Sequence, residues 1–214
     1  MSFPNATVYL VDDDPKVLRG LARLLRSAGI PVETFVSPEA FLNHVGPRTA
    51  GCVVLDFTMP GLNGLELQAA LKVKNCPIPI IFLTGNGDVP TSVQAMKSGA
   101  LDFLTKPVSD RDLLEAIQAG FARNRRTLEE LAEMDQWQAR VDSLTNRERE
   151  VFLHVVAGKP NKQIASELGT VEQTVKVHRA RVMAKMKVQS LAELARLAER
   201  LRPVLHGDAR PRVD

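Results

Sequence analysis

The chain has no run of about 18 apolar residues, the least that crosses a membrane as a helix, so no membrane partner is expected. Two cysteines among 214 residues, Cys52 and Cys76, are too few for a disulfide framework and are expected to be buried thiols of a reduced protein. Of the four histidines, His44, His154 and His206 have no companion at metal-ligand spacing, so no metal is assigned to them. Met1-Ser2-Phe3-Pro4-Asn5 carries no basic stretch leading into an apolar segment; no signal peptide is expected, and the cytoplasm is the expected compartment. No repeat and no low-complexity segment occurs. What is present is 44% hydrophobic content over a length that can bury two ordinary cores.

Charge divides the chain. Residues 1–122 hold 10 Lys/Arg against 12 Asp/Glu, a net of −2, whereas residues 123–214 hold 18 against 13, a net of +5. Residues 174–187 contain five basic side chains, Lys176, Arg179, Arg181, Lys185 and Lys187, and no acid. A solvated helix face ordinarily mixes both signs, so this stripe points to a polyanionic partner.

The first half alternates strands and helices. Residues 7–11 form a short apolar run ending in Asp12-Asp13-Asp14, and Asp14-Pro15 has the form of an N-cap followed by proline at the first helical position. Val17, Leu18, Leu21, Leu24, Leu25 and Ala28 then repeat with helical period up to Gly29. A second strand is predicted at 32–35, with a helix opening at Ser37-Pro38. A doubly buried strand follows at 52–55, then a helix at 64–74, a strand at 78–83, a helix at 89–98 and a strand at 102–105. A capping box from Ser109 to Asp112 opens the fifth helix. Five βα units of this length predict one α/β doubly wound, five-stranded parallel sheet.

Over residues 120–143 the composition changes. Arg123, Arg125, Arg126, Glu129, Glu130 and Glu133 sit among Leu128, Leu131, Met134, Val141 and Leu144 at a spacing of about three to four, which predicts a helical linker at 123–142. Asp135 and Gln138 interrupt any coiled-coil seam. A second capping box, Thr145-Asn146-Arg147-Glu148, opens an all-α segment with four helices predicted at 146–157, 161–168, 172–186 and 190–201. Gly158-Lys159-Pro160 and Gly169-Thr170 are the breaks. A short helix, a tight turn and a basic helix are the elements of helix-turn-helix DNA binding. The tail after Pro203 reads as disordered.

Chemistry-bearing residues collect at predicted strand ends. Asp12 and Asp13 follow the first strand, Asp56 the third, Thr84 the fourth and Lys106 the fifth. In an open parallel sheet these ends share one edge, where ligands bind. Pro60-Gly61 turns the chain so that Asp56 stays at the rim. Clustered carboxylates repel unless a hard cation joins them, and three acids with waters suit Mg²⁺ or Mn²⁺. A carboxylate can also attack phosphorus to form an aspartyl phosphate, with Lys106 and the metal neutralising phosphoryl oxygens and the Thr84 hydroxyl donating to one. Singly each residue has a bland reading: Asp13 as a helix cap, Lys106 as a surface lysine, Thr84 as a strand end. Their joint placement points to a site.

Through Val11-Asp12-Asp13, Leu55-Asp56, Met59-Pro60-Gly61, Thr84-Gly85 and Lys106-Pro107, residues 6–122 resemble the receiver domain of two-component response regulators, a flavodoxin-like fold. Leu144-Thr145-Asn146-Arg147-Glu148-Arg149-Glu150-Val151, Asn161-Lys162-Gln163-Ile164-Ala165 and Thr174-Val175-Lys176-Val177-His178 make residues 143–202 similar to the LuxR-type helix-turn-helix. Residues 85–90 and 177–183 are especially similar to the FixJ subgroup of the NarL/FixJ regulators. The resemblance implies that Asp56 accepts the phosphoryl group, that Asp12, Asp13, Asp56 and the Thr58 backbone carbonyl surround Mg²⁺, and that Thr84 and Phe103 form a switch pair. It implies a cis Lys106-Pro107 bond, a sensor histidine kinase as partner, and a homodimer on phosphorylation formed through residues 89–98 and 102–105. Double-stranded DNA would be the ligand, and the protein would not be an enzyme. The chain departs from the pattern at Thr170 and Val171, where an apolar residue and then Ser are common; Val171 cannot cap, leaving Thr170 to do so or the helix start frayed. Asn86 stands where the FixJ-like loop often has His, and Pro160 where Ser is commoner.

Within 172–186, Thr174, Lys176, Val177 and Ala180 are expected to face bases, and Arg179, Arg181, Lys185 and Lys187 to meet phosphates. His178 is expected to pack or to contact a phosphate. Two other readings stay open. One is an aspartate-nucleophile phosphatase of the haloacid-dehalogenase kind, which needs a second acid where Thr58 stands. The other is a phosphorylation-independent DNA-binding protein with a receiver fold as dimer platform, against which the intact acceptor, metal and lysine positions argue.

Overall fold

The computed structural model describes residues 6–85 and 89–200. The expectations placed on Met1-Ser2-Phe3-Pro4-Asn5, on Asn86 and on the tail after Pro203 lie outside these residues. The first unit contains β1 (Thr7–Val11), α1 (Pro15–Ser27), β2 (Val32–Phe35), α2 (Pro38–His44), β3 (Gly51–Asp56), α3 (Gly64–Val73), β4 (Ile80–Thr84), α4 (Val89–Lys97) and β5 (Asp102–Thr105). The strands pair in parallel in the order β2-β1-β3-β4-β5, which is the doubly wound sheet expected. After β1 the chain builds outward to one side and then crosses to the other. The crevice at that reversal lies beyond the carboxyl ends of β1 and β3. Their register pairs Val11 with Leu55, so Asp12 and Asp56 emerge beside one another.

The apolar runs are continuous because both faces of the sheet are covered. Tyr9, Val11, Val53, Leu55, Ile80 and Phe82 share one core with Phe41, Leu67 and Leu71. Val8, Leu10, Cys52, Val54, Ile81 and Leu83 share the other with Leu18, Leu25, Leu113 and Ile117. Helix α1 starts as expected, with the Asp14 side chain accepting from the Lys16 backbone and Pro15 at the first position. Asn63 and Glu66 add a capping box to α3, one more helix start set by local sequence. Gly51 opens β3 at φ +141°, where a Cβ would lie 1.9 Å from the Thr7 carbonyl oxygen, so only glycine fits.

The fifth helix and the expected linker are one element, α5 (Asp110–Asp142). Its first half is tied to the sheet: buried Asn124 accepts from the Gly51 backbone at 2.9 Å and donates to the Thr49 carbonyl at 3.3 Å. The two compact units meet between Glu129 and Glu130, within the expected linker. Val141 lies in the second core, and Met134 and Trp137 pack against it. Apolar residues at helical spacing bury against their own neighbours rather than remain on a solvated connector.

The second unit continues with α6 (Asn146–Val156), α7 (Asn161–Glu167), α8 (Glu172–Met186) and α9 (Leu191–Arg200). Phe152, Ile164, Val175, Val182 and Met186 are its buried centre. Thr145 and Glu148 form the full capping box predicted for α6. Val171 stands at the N-cap of α8 with no side-chain cap, so Thr170 does not take that role. Lys187 closes the helix in the left-handed conformation at φ 54°. No helix among the described residues is long and apolar enough to cross a membrane.

Candidate functional site

Beyond β1 and β3, the Lys106 ammonium lies 2.7 Å from Asp12 Oδ2 and 2.6 Å from Asp56 Oδ1. Asp12 is 4% exposed and Asp56 7%, so both carboxylates need compensation inside the protein. Their other oxygens accept backbone hydrogen bonds, Asp12 Oδ1 from the Asp14 amide and Asp56 Oδ2 from the Thr58 amide, each at 2.8 Å. These backbone donors were not anticipated; the turns after β1 and β3 supply them. Burial by itself lowers the pKa of Lys106, but its hydrogen bonds to Asp12 and Asp56 and their charges outweigh this and hold it above the ordinary lysine value. The Lys106-Pro107 bond is cis, as the resemblance implied.

Of the expected trio of acids, two are joined by Lys106 and the third lies open to solvent. Asp13 is exposed, and among the described residues no three acidic, histidine or cysteine groups converge on a metal position. Directly after β1, Asp12 is buried, whereas Asp13, one residue further along the loop, is exposed. The donor chemistry nonetheless fits a hard cation. Two buried carboxylates share one ammonium, leaving one negative charge uncompensated among oxygen donors, with Asp13 and Thr58 exposed beside them.

Thr84 is buried at the end of β4, and its carbonyl accepts from the Lys106 amide at 2.6 Å. Phe103 is half-buried on β5 within an aromatic trio: its ring centroid is 5.8 Å from Phe57 and 6.1 Å from Phe82. Phe57, directly after β3, and Phe82, within β4, carry no signal in the sequence beyond that of ordinary core.

Helix α8 presents one open face. Gln173, Lys176, Val177, Ala180, Arg181 and Ala184 are exposed, opposite buried Val175, Val182 and Met186. Gln173 was missed, although its spacing to Lys176, Val177 and Ala180 is helical. Thr174 is half-buried at the edge of this face. Lys176 is 3.6 Å from Glu172 in an exposed pair, and Lys187 is exposed at the C-cap. Arg179 spends part of its guanidinium on Asn161 Oδ1 at 2.9 Å. His178 is half-buried with Nδ1 out of solvent. Lys185 departs from its expected role: its ammonium bonds Glu148 Oε2 at 2.6 Å and the Ser143 carbonyl at 2.9 Å. Helical geometry puts it on the flank of the buried side, where α6 supplies an acid.

A receiver-type sheet with a carboxylate–lysine corner, joined to a helix-turn-helix unit, defines a DNA-binding regulator. Residues 8–118 match the response regulator receiver domain, and residues 142–198 match the bacterial regulatory proteins of the luxR family. Response regulator protein TmoT of Ectopseudomonas mendocina is 44% identical over 205 residues, covering 96% of this chain and 93% of that protein. Transcriptional regulatory protein FixJ of Bradyrhizobium diazoefficiens is 44% identical over 193 residues, covering 90% and 94%. The solved response regulator StyR superposes with a TM-score of 0.79 at 47% identity, over 92% of this chain and 99% of that one. Full-length FixJ from B. japonicum gives 0.56 at 40% identity, over 97% and 100%. The chain belongs to the two-component response regulators of the NarL/FixJ family. Such a protein regulates transcription and is not an enzyme; its receiver implies a histidine kinase partner and its second domain implies DNA binding.

Proposed function

We propose that a sensor histidine kinase phosphorylates Asp56 and that the phosphorylated protein dimerises and binds promoter DNA in the cytoplasm. The observation that carries this is the Lys106 bridge between buried Asp12 and Asp56. A carboxylate oxygen of Asp56 attacks phosphorus as the donor's bond to that phosphorus breaks, and Lys106 turns from the carboxylates toward the phosphoryl oxygens. Asp12, Asp13, Asp56 and the Thr58 carbonyl would hold Mg²⁺, whose charge offsets that of the phosphoryl group. Thr84 and Phe103 respond to the new dianion, and α4 with β5 forms the paired surface, where Val93 and Met96 are each 44% exposed. The phosphoryl group must favour the paired state differentially, or no shift follows.

In the DNA-binding unit, Lys176, Val177 and Ala180 read bases, with Thr174 at the edge. Lys can bond a guanine edge, and Val or Ala can touch a thymine methyl. Arg181 and Lys187 meet phosphates, joined by the part of the Arg179 guanidinium left free by Asn161.

Incubation with a small acyl phosphate and Mg²⁺, followed by intact-mass and sedimentation measurements, tests the reading. One phosphoryl group and a rise from monomer to dimer are expected. An unchanged monomer at concentrations well above those supporting DNA binding refutes the dimer, and sustained turnover of a phosphomonoester would revive the phosphatase reading, in which Thr58 stands where a second acid is needed.

A further inference from the structure

Five basic residues line α8 and the residue after it, yet they are not equivalent. Lys176, Arg181 and Lys187 are exposed. Lys185 is bound by a carboxylate that is itself buried, since Glu148 is 3% exposed. The same carboxylate oxygen, Glu148 Oε2, also accepts from the Thr145 amide at 2.9 Å, closing the first turn of α6. Ser143, whose carbonyl takes the second Lys185 hydrogen bond, directly follows the last residue of α5. Three elements therefore meet at one ammonium: the end of α5, the start of α6 and the last turn of α8. Arg140 adds a tie one residue further on, donating to the Met186 carbonyl at 3.2 Å. If Lys185 turned to a DNA phosphate, it would leave Glu148 as an unpaired buried charge, which is strongly disfavoured.

We propose that Lys185 is a positioning residue of the recognition helix: with Glu148 and the Ser143 carbonyl it sets how α8 presents its open face, and it does not contact DNA. This rests on the reading of α8 as the base-reading helix. A helix anchored at its C-terminal turn moves most at its far end, where Lys176, Val177 and Ala180 lie, so a small tilt at Lys185 is amplified on the reading face; base recognition depends on orientation far more than phosphate attraction does.

The test uses the full-length phosphodonor-treated protein, duplexes that the native protein enriches from a randomised pool, and random duplexes of equal length. Affinity for both is measured over a salt series. Lys185→Met and Glu148→Gln should each lower the ratio of enriched-site to random affinity by roughly tenfold, leaving the salt slope on random DNA unchanged. Lys185→Arg should retain most of the ratio, because a guanidinium can hold both acceptors. A salt slope reduced by roughly 0.9 in Lys185→Met but unchanged in Glu148→Gln would make Lys185 a phosphate contact and overturn the proposal. A native ratio in both folded variants would reduce the pair to fold stability alone and overturn it too. Should a single variant fail to fold, Glu148→Leu with Lys185→Met removes the charge with its partner. A lowered ratio in that double variant supports the proposal and a native ratio defeats it. Failure of the α8 reading would appear separately, as a native protein that enriches no site.

Discussion

The two units each bury carboxylate against lysine, and the counts differ. At the sheet edge two carboxylates, Asp12 and Asp56, share the single Lys106 ammonium, whereas in the helical unit Glu148 and Lys185 match one to one. A matched pair whose charges cancel and which also bonds backbone groups holds no net charge to draw a ligand; it ties elements together. An unmatched pair keeps negative charge at a rim open to solvent, and its lysine can exchange one oxyanion for another. The same residue types thus meet as a balanced pair in one place and an unbalanced corner in the other, and charge balance separates the two.

The largest expected effect breaks the reactive corner outright. Asp56→Asn should take up no phosphoryl group from an acyl phosphate with Mg²⁺ under conditions that label the native chain fully, as read by intact mass. A stable label on the variant would move the acceptor to another carboxylate. Next, Lys106→Ala should fold, since it removes a site charge and no core, but should lose the phosphodonor-dependent gain in dimer and DNA binding. A native response in sedimentation and DNA titration would show that the lysine is dispensable.

The comparison sharpens with pH, because the acid is held off its ordinary value in one place and the lysine in the other. Glu148 is held down to about 2 from an ordinary 4.5, first by its hydrogen bond from Lys185 and then by the Thr145 amide. Its contribution is fully present above about 4.5 and is lost as pH falls toward about 2, at most about 3 kcal/mol. Thermal unfolding of native protein and Glu148→Gln should converge across that acid range. Lys106 is raised above 10.5, so its contribution is present below that value and is lost as pH climbs through the folded-state value. Lys106→Ala should therefore converge with native protein on the alkaline side.

Smaller effects test the open face of α8. Lys176→Ala should relax preference at one or two base pairs, costing about 1–3 kcal/mol there and sparing random DNA. Equal loss on both would remove Lys176 from the reading face. Smallest is Lys187→Met, which should weaken binding to every sequence and lower the salt slope by roughly 0.9.

Much of this protein is legible in its amino-acid sequence. Local signals carry the elements: Asp14-Pro15 and Thr145 with Glu148 each start the helix they predict, and the buried runs ending at Val11 and Leu55 are neighbouring strands. Because a parallel sheet gathers its carboxyl ends, the strand-end positions of Asp12, Asp56, Thr84 and Lys106 suffice to place them on one edge. Residue spacing could not reveal that Asp13 faces outward while Asp12 does not, that α5 runs unbroken while its last turns join the second core, or that Lys185 meets an acid 37 residues earlier. Periodicity along a chain reports which side of an element is apolar, whereas the partner of a long charged side chain is set by whatever other elements the fold brings within its reach. Sequence therefore determined the elements, their order and the edge that holds Asp12, Asp56, Thr84 and Lys106; tertiary structure alone decided which charges are matched, because only the packed fold brings a lysine to the carboxylates of distant elements.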